Sequence, residues 1–204
     1  MKTMLKSTFI IGTAALAFTA CSKAEAPSVQ DAADKAQAAA KAAVDHSGHN
    51  SAALMSHSYP VINSGGHELG TVTINDVENG VNLILDITSI PAGPHAIHFH
   101  QTGACDTPDF TSSGGHYNPK SVEHGHIGTS GPHAGDMENF NAPQSGVVKL
   151  TIPNPQVSLS DRHEFSPLLD ADGTALVIHA GADDYKSQPS GAAGARIACA
   201  VISK

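Results

Sequence analysis

Apolar positions in the second half of the chain fall in short runs, not in helical stripes. Thr71-Val-Thr-Ile74, Val81-Asn-Leu-Ile-Leu-Asp-Ile87 and Val147-Val-Lys-Leu-Thr-Ile152 alternate in part and are rich in β-branched residues. Ala175-Leu-Val-Ile178 and Ile197-Ala-Cys-Ala-Val-Ile202 repeat the signal, and His95-Ala-Ile-His-Phe-His100 reads as another strand. Branched side chains are stiff in a helix but pack well on a pleated surface. Turn residues punctuate the runs at Glu78-Asn-Gly80, Pro91-Ala-Gly-Pro94 and Asp170-Ala-Asp-Gly173. The pattern predicts an all-β sandwich or barrel that starts near residue 58. It contains no internal repeat and no Gly-rich phosphate loop.

The first 57 residues read differently. Lys2 and Lys6 precede an apolar stretch from Phe9 to Phe18 that ends at Thr19-Ala20-Cys21. It is short for a bilayer span and reads as a signal peptide over residues 1–20. Phe18 is large where an ordinary cleavage site wants a small residue, so a cut before Cys21 resembles a bacterial lipoprotein signal. The expectation is a periplasmic or cell-envelope protein held to a membrane by lipid on Cys21; an ordinary secreted protein with a spare thiol is the alternative. Residues 21–57 form a flexible Ala- and His-rich tether, since Ala32 to Val44 offers no apolar face and an isolated helix of that length is marginal. His46, His49, Met55 and His57 read either as a metal-loading antenna or as solvated linker.

Composition narrows the function. The chain has 204 residues, 40% hydrophobic and 15% charged, which leaves room for one domain after the tether. Its formal charge is -8, and removing Lys2 and Lys6 with the signal leaves nine basic against nineteen acidic side chains. A nucleic-acid surface would be a basic patch or stripe, so that class is excluded. With Cys21 lipidated, Cys105 and Cys199 remain as a pair in an oxidising compartment; two free thiols are the alternative.

Candidate chemistry lies in the histidines. His98 and His100 are two apart on a strand, so both imidazoles share a face while Phe99 points to the core. His179 ends the apolar run at Ala175–Ile178 and can bring a third nitrogen from a neighbouring strand. Asp106 to Phe140 is 35 residues of mostly Gly, Ser, His, Asn and Pro with little apolar periodicity. Loops of that length are functional or disordered, and the spacing of His116, His124, His133 and Asp136 predicts that bound metal orders this one. Three imidazoles and a carboxylate complete a tetrahedral zinc set, with His126 a rival for one position. Imidazole suits copper and zinc, so the ligands suffice for two transition-metal ions.

These residues resemble the copper–zinc superoxide dismutase family, in its bacterial periplasmic, lipoprotein-type form. The matching segments are Gly93-Pro-His95-x-x-His98-x-His100, Gly114-Gly-His116-Tyr-Asn-Pro119, His124 and His133-Ala-Gly-Asp136. They continue with His179-Ala-Gly-Ala-Asp-Asp184 and Gly194-Ala-Arg196-Ile-Ala-Cys199, so the resemblance covers roughly residues 58–204. It implies an immunoglobulin-like Greek-key β-sandwich or barrel of about eight antiparallel strands, with long metal-binding and channel loops. It implies copper on His98, His100, His116 and His179, and zinc on His116, His124, His133 and Asp136, with His116 bridging the two. Asp183 matches the carboxylate that links a copper histidine to a zinc histidine, Cys105 and Cys199 the family's disulfide, and Arg196 the arginine beside the copper channel. Besides Arg196, only Lys186 offers itself as a guide at the channel mouth.

The activity implied is conversion of superoxide to oxygen and hydrogen peroxide by alternating reduction and oxidation of the copper ion, with His116 and Arg196 as catalytic residues. A non-catalytic copper-binding or copper-delivery protein of the same fold is the alternative. Whether the protein works as a homodimer the sequence leaves open.

Overall fold

Partial alternation becomes sheet in the computed structural model, which describes residues 54–125 and 131–204. The expectations for the signal peptide, Cys21, His46, His49 and His126 lie outside the described residues. Among the described residues eleven strands form, in chain order: β1 (Ser56–Asn63), β2 (Glu68–Val77), β3 (Gly80–Ile87), β4 (Gly93–His95), β5 (Ile97–His100), β6 (Phe140–Ala142), β7 (Val148–Asn154), β8 (Val157–Ser158), β9 (Ser166–Pro167), β10 (Thr174–His179) and β11 (Arg196–Ile202). Seven make one antiparallel sheet in the order β5-β10-β11-β1-β2-β3-β7, and β4 pairs with β6. The chain crosses from β3 to the β4–β5 side, returns through β6 to β7, and crosses again to β10, the connectivity of a Greek key.

The count exceeds the expected eight for local reasons. The predicted strand from His95 to His100 breaks at Ala96, whose N–H donates to Gly181 O and whose carbonyl accepts the His179 N–H. Two further strands, β8 and β9, are a two-residue pair, and they run parallel. β1 begins at Ser56, so His57 sits in a strand and stacks on Tyr59 at 6.2 Å between ring centroids.

One face of the curled sheet carries the core. Val72, Ile74, Leu83, Leu85 and Ile87 alternate inward from β2 and β3 and meet Ile97, Phe99, Leu176, Ile178 and Ile202. Each fully buried side chain of this size contributes about 1.5–3 kcal/mol. Phe99 is fully buried among them, as the two-residue period requires, which turns His98 and His100 to the opposite face. A second, small cluster lies on that opposite face: Phe110, Ala175, Val177 and Cys199, with Ile62 and Cys105 against it. The Cys105–Cys199 disulfide closes it, with the two Cα atoms 5.8 Å apart.

The Asp106–Phe140 loop is therefore anchored by more than metal ligands, contrary to the expectation from its composition. Phe110 docks in the small cluster, and Tyr117, Ala134, Met137 and Phe140 join the main core. These are isolated apolar anchors without period. The loop also covers the free edge of β5: Phe99 N–H donates to Gly135 O, and Phe99 O accepts from Tyr117 N–H. That pairing carries the loop histidines to the face where His98 and His100 point.

Candidate metal centre

Three elements converge on the outer face of β5. His98 and His100 stand opposite Val177 and Ala175 of β10, and His179 lies on the same face two residues beyond Val177. A register shift between Ile178 and His179 pairs His179 with Arg196. Such bulges re-aim side chains beside functional sites. His116 arrives from the loop through a bridge to His100, and Asp136 through one to His98.

The result is two adjoining groups. Ligand atoms of His98, His100, His116 and His179 all lie within 4.8 Å of one another, as do those of His116, His124, His133 and Asp136. All seven residues are buried. His116 belongs to both groups. Its ring centroid is 4.0 Å from that of His98 and 5.1 Å from that of His124.

Hydrogen bonds fix which nitrogen of each ring is free. His100 Nδ1–H donates to Gly114 O at 2.9 Å, His179 Nδ1–H to Gly194 O at 3.2 Å, and His98 Nε2–H to Asp183 Oδ2 at 2.9 Å. The opposite nitrogens, His98 Nδ1, His100 Nε2 and His179 Nε2, are buried without a hydrogen-bond partner among the described residues, and so is His116 Nε2. Buried polar atoms left unsatisfied are costly and rare. Four of them within 4.8 Å of one another are what a cation with a preference for imidazole satisfies.

The second group closes on Asp136. Its Oδ1 lies 2.8 Å from His116 Nδ1 and 3.3 Å from His133 Nδ1, and its Oδ2 lies 2.9 Å from His124 Nδ1. The contacts of His124 Nδ1 and His133 Nδ1 lack hydrogen-bond geometry. Three nitrogens packed on one carboxylate fit the three-His, one-Asp donor set of a closed zinc site. Backbone N–H groups of Gly125 and His133 hold Asp136 Oδ2 in place, at 3.2 and 3.0 Å.

Asp183 spans the two groups. Its Oδ1 accepts from His124 Nε2–H at 3.0 Å and from Tyr185 N–H at 2.6 Å, while Oδ2 holds His98. Burial pushes its carboxyl up, but these hydrogen bonds outweigh burial and hold it well below the usual carboxylate range. Burial raises the Asp136 carboxyl too, and the His116 hydrogen bond with the close imidazoles of His133 and His124 holds it well below the carboxylate range. Burial lowers His100 to about 2, His116 to about 4 and His179 to about 3, helped in each by neighbouring imidazoles. These three rings are therefore neutral donors at physiological pH.

Arg196 stands beside the first group, across the register from His179. Its Nη1 donates to Phe110 O at 2.6 Å and to Ser113 Oγ at 2.9 Å, and its Nη2 to Gly114 O at 2.7 Å. A cleft of ≈ 590 Å³ opens here, lined by His100, His116, His133, His179, Gln188 and Arg196 among others. Arg196 is the one cationic side chain among its described lining residues; Lys186 is exposed and outside the lining.

Several residues at the site carry no signal in the sequence. Asn139 clasps the backbone of Asp183, its Oδ1 accepting the N–H at 2.8 Å and its Nδ2 donating to the carbonyl at 2.9 Å. Gln188 does the same to His124, at 3.0 and 2.9 Å. His95, inside a quoted motif but without an expected role, places Nδ1 2.8 Å from the His179 carbonyl. Ser113, fully buried, meets both Arg196 and His100. A side-chain amide or hydroxyl is common on any surface, and only tertiary placement distinguishes these.

Comparison with known proteins gives one consistent result. Residues 68–202 match the family described as copper/zinc superoxide dismutase (SODC). The chain is 43% identical over 143 residues to "Superoxide dismutase [Cu-Zn] 1" of Aquifex aeolicus, covering 70% of this chain and 84% of that one. It is 42% identical over 144 residues to "Superoxide dismutase [Cu-Zn]" of Caulobacter vibrioides, covering 70% and 83%. Among solved structures, a SOD-like protein from Bacillus subtilis superposes with a TM-score of 0.68 at 35% identity, over 74% of this chain and 99% of the other.

Proposed function

The chain belongs to the copper/zinc superoxide dismutase family, and from that premise we propose that it dismutes superoxide at the two adjoining groups, with copper on His98, His100, His116 and His179 and zinc on His116, His124, His133 and Asp136. The observation that carries this reading is the set of four buried, partnerless ring nitrogens beside Arg196. Two superoxide anions and two protons give one oxygen and one hydrogen peroxide: one anion loses an electron, the other gains it.

Bound copper supplies the one-electron couple, and zinc a fixed charge that orders the loop. The protein's own residues do the rest. Arg196 draws and orients the anion, a task for which the guanidinium fork suits two oxygens better than an ammonium. His116 presents Nε2 toward the first group and Nδ1 toward Asp136, so Nε2 is the atom that holds and releases a proton beside the reacting anion. Asp183 fixes the rings of His98 and His124, and thereby the nitrogen each offers. Net charge is negative, so attraction of the substrate rests on the local field of Arg196 in its cleft.

The N-terminal reading supports a place in the periplasm or cell envelope, with Cys21 as the lipid-bearing residue and residues 21–57 as spacer. Mass spectrometry of the membrane fraction tests it: an acylated N-terminus at Cys21 supports the anchor, and a free soluble chain cut elsewhere overturns it. Assembly as a homodimer, left open by the sequence, is read by light scattering.

The activity is tested on metal-loaded protein by superoxide consumption, with His179→Ala alongside. Loss of activity in the variant is expected. Parent-level activity in His179→Ala removes the copper assignment, and inactivity of a fully loaded parent leaves the copper-binding or delivery reading.

A further inference from the structure

We propose that Ser113 is a positioning residue for anion docking: its hydroxyl sets the direction of Arg196 and ties it to His100. The proposal rests on the reading of Arg196 as the docking group. Ser113 ends the short 3-10 turn Thr111–Ser113, and its side chain is fully buried between the disulfide-anchored loop and the first histidine group. Its Oγ–H donates to Phe110 O at 2.9 Å, which leaves the oxygen's lone pairs as acceptors. One receives Arg196 Nη1–H at 2.9 Å, and His100 Nδ1 lies 3.3 Å away.

A count of donors shows what this does. A guanidinium has five N–H groups. Phe110 O and Ser113 Oγ take both hydrogens of Nη1, and Gly114 O takes one of Nη2. Nε–H and one Nη2–H are left over from these three bonds, the number a bidentate contact with a small anion uses. Without the hydroxyl, one Nη1–H is freed and the guanidinium keeps two carbonyl anchors, so the remaining pair is no longer held to one direction. Arg196 and His100 also share the Gly114 carbonyl. The hydroxyl thus closes a ring of hydrogen bonds in which the docking arginine and a metal-facing imidazole are oriented by the same two residues. The backbone carbonyls are available to any side chain at position 113; the second Nη1 anchor requires a hydroxyl.

The test is a double-mutant cycle on protein loaded with both metals, with azide as the probe anion and its affinity read from the visible spectrum of Cu(II). Ser113→Ala is expected to weaken azide binding roughly three- to tenfold with unchanged metal content, the scale of one net intramolecular hydrogen bond. Ser113→Thr, which keeps the hydroxyl, should restore most of it. In an Arg196→Ala background the Ser113→Ala change should add nothing, because coupled residues are not additive. If Ser113→Ala does not load metal, Ser113→Gly removes the same hydroxyl and is read instead.

Parent-like azide affinity in Ser113→Ala, or an equal loss in both backgrounds, overturns the proposal while leaving Arg196 as the docking group. Parent-like affinity in Arg196→Ala alone overturns the reading beneath it.

Discussion

His98 Nε2–H donates to Asp183 Oδ2 across 2.9 Å and 85 residues of chain, in a contact from which solvent is excluded. Because the other oxygen of the same carboxylate holds His124, a single side chain sets the free nitrogen of one ring in each group. Asp183→Ala should therefore weaken both metals together, by roughly ten- to a hundredfold in affinity. Chelator competition followed separately for copper and zinc reads this. Loss at one site only would show that the carboxylate is not the shared support.

Gln188 supports one side alone. It clasps the His124 backbone, and among the described residues its side chain hydrogen-bonds only to His124 and Lys186. Gln188→Ala should shorten zinc retention several-fold under chelator while the copper spectrum stays as in the parent. Gly191 tests the same loop packing by addition: its φ is +68°, and a Cβ there would overlap Asp183 Oδ1 and crowd His124 Nε2. Gly191→Ala should loosen both metals, as Asp183→Ala does. Equal metal retention in Gly191→Ala and parent would mean that the loop yields without moving Asp183.

Acid should unfold the metal-free protein readily, and the sign follows from burial. His100, His116 and His179 are lowered to about 2, 4 and 3, whereas imidazoles of the unfolded chain titrate near about 6.5. Below that pH the unfolded chain binds protons that the folded chain refuses, so stability falls as pH drops from about 6.5 toward 4. Asp136 and Asp183, held below the carboxylate range, lose their contribution as pH falls further, in the same direction. Denaturant melts of metal-free protein between pH 7 and 4 should show midpoints falling steadily. A flat profile contradicts the burial of neutral rings.

The disulfide should matter most before metal binds. Cys105 and Cys199 enclose a separation of 94 residues, for which loop-closure entropy gives about 4–5 kcal/mol. It also holds the segment that carries Phe110 and Ser113 against β11. Replacing both cysteines by serine should lower the metal-free unfolding free energy by about that amount, measured by equilibrium unfolding. A change below about 1 kcal/mol would show that the loop is held without the covalent link.

Arg196→Ala should lower the rate of superoxide consumption with metal content intact. It should also flatten the dependence on ionic strength, since the one cationic side chain among the described lining residues is removed. An unchanged salt slope would place the attracting field elsewhere.

Much of this arrangement was legible in the chain because the relevant periods are short. Alternation at Val81–Ile87 and the two-residue offset of His98 and His100 each specify a face, and β3 and β5 present those faces. β1 was not legible. Pro60 interrupts its pattern, yet β1 meets β11 only at Ile62 and Asn63, so the missing N–H costs no ladder bond on that side. The irregularity in β11 that sets Arg196 opposite His179 leaves no mark on the sequence Arg196-Ile-Ala. The Phe110 and Tyr117 anchors are single residues in polar sequence, with no period to read. Ser113, Asn139 and Gln188 gain their roles from partners 13 to 83 residues away.

The most direct measurement is anomalous diffraction at the copper and zinc absorption edges from crystals of the loaded protein. The account predicts two peaks, one on each side of the His116 ring and each about 2.0–2.1 Å from one of its nitrogens. A single peak, or two of which neither lies within bonding distance of His116, would contradict it.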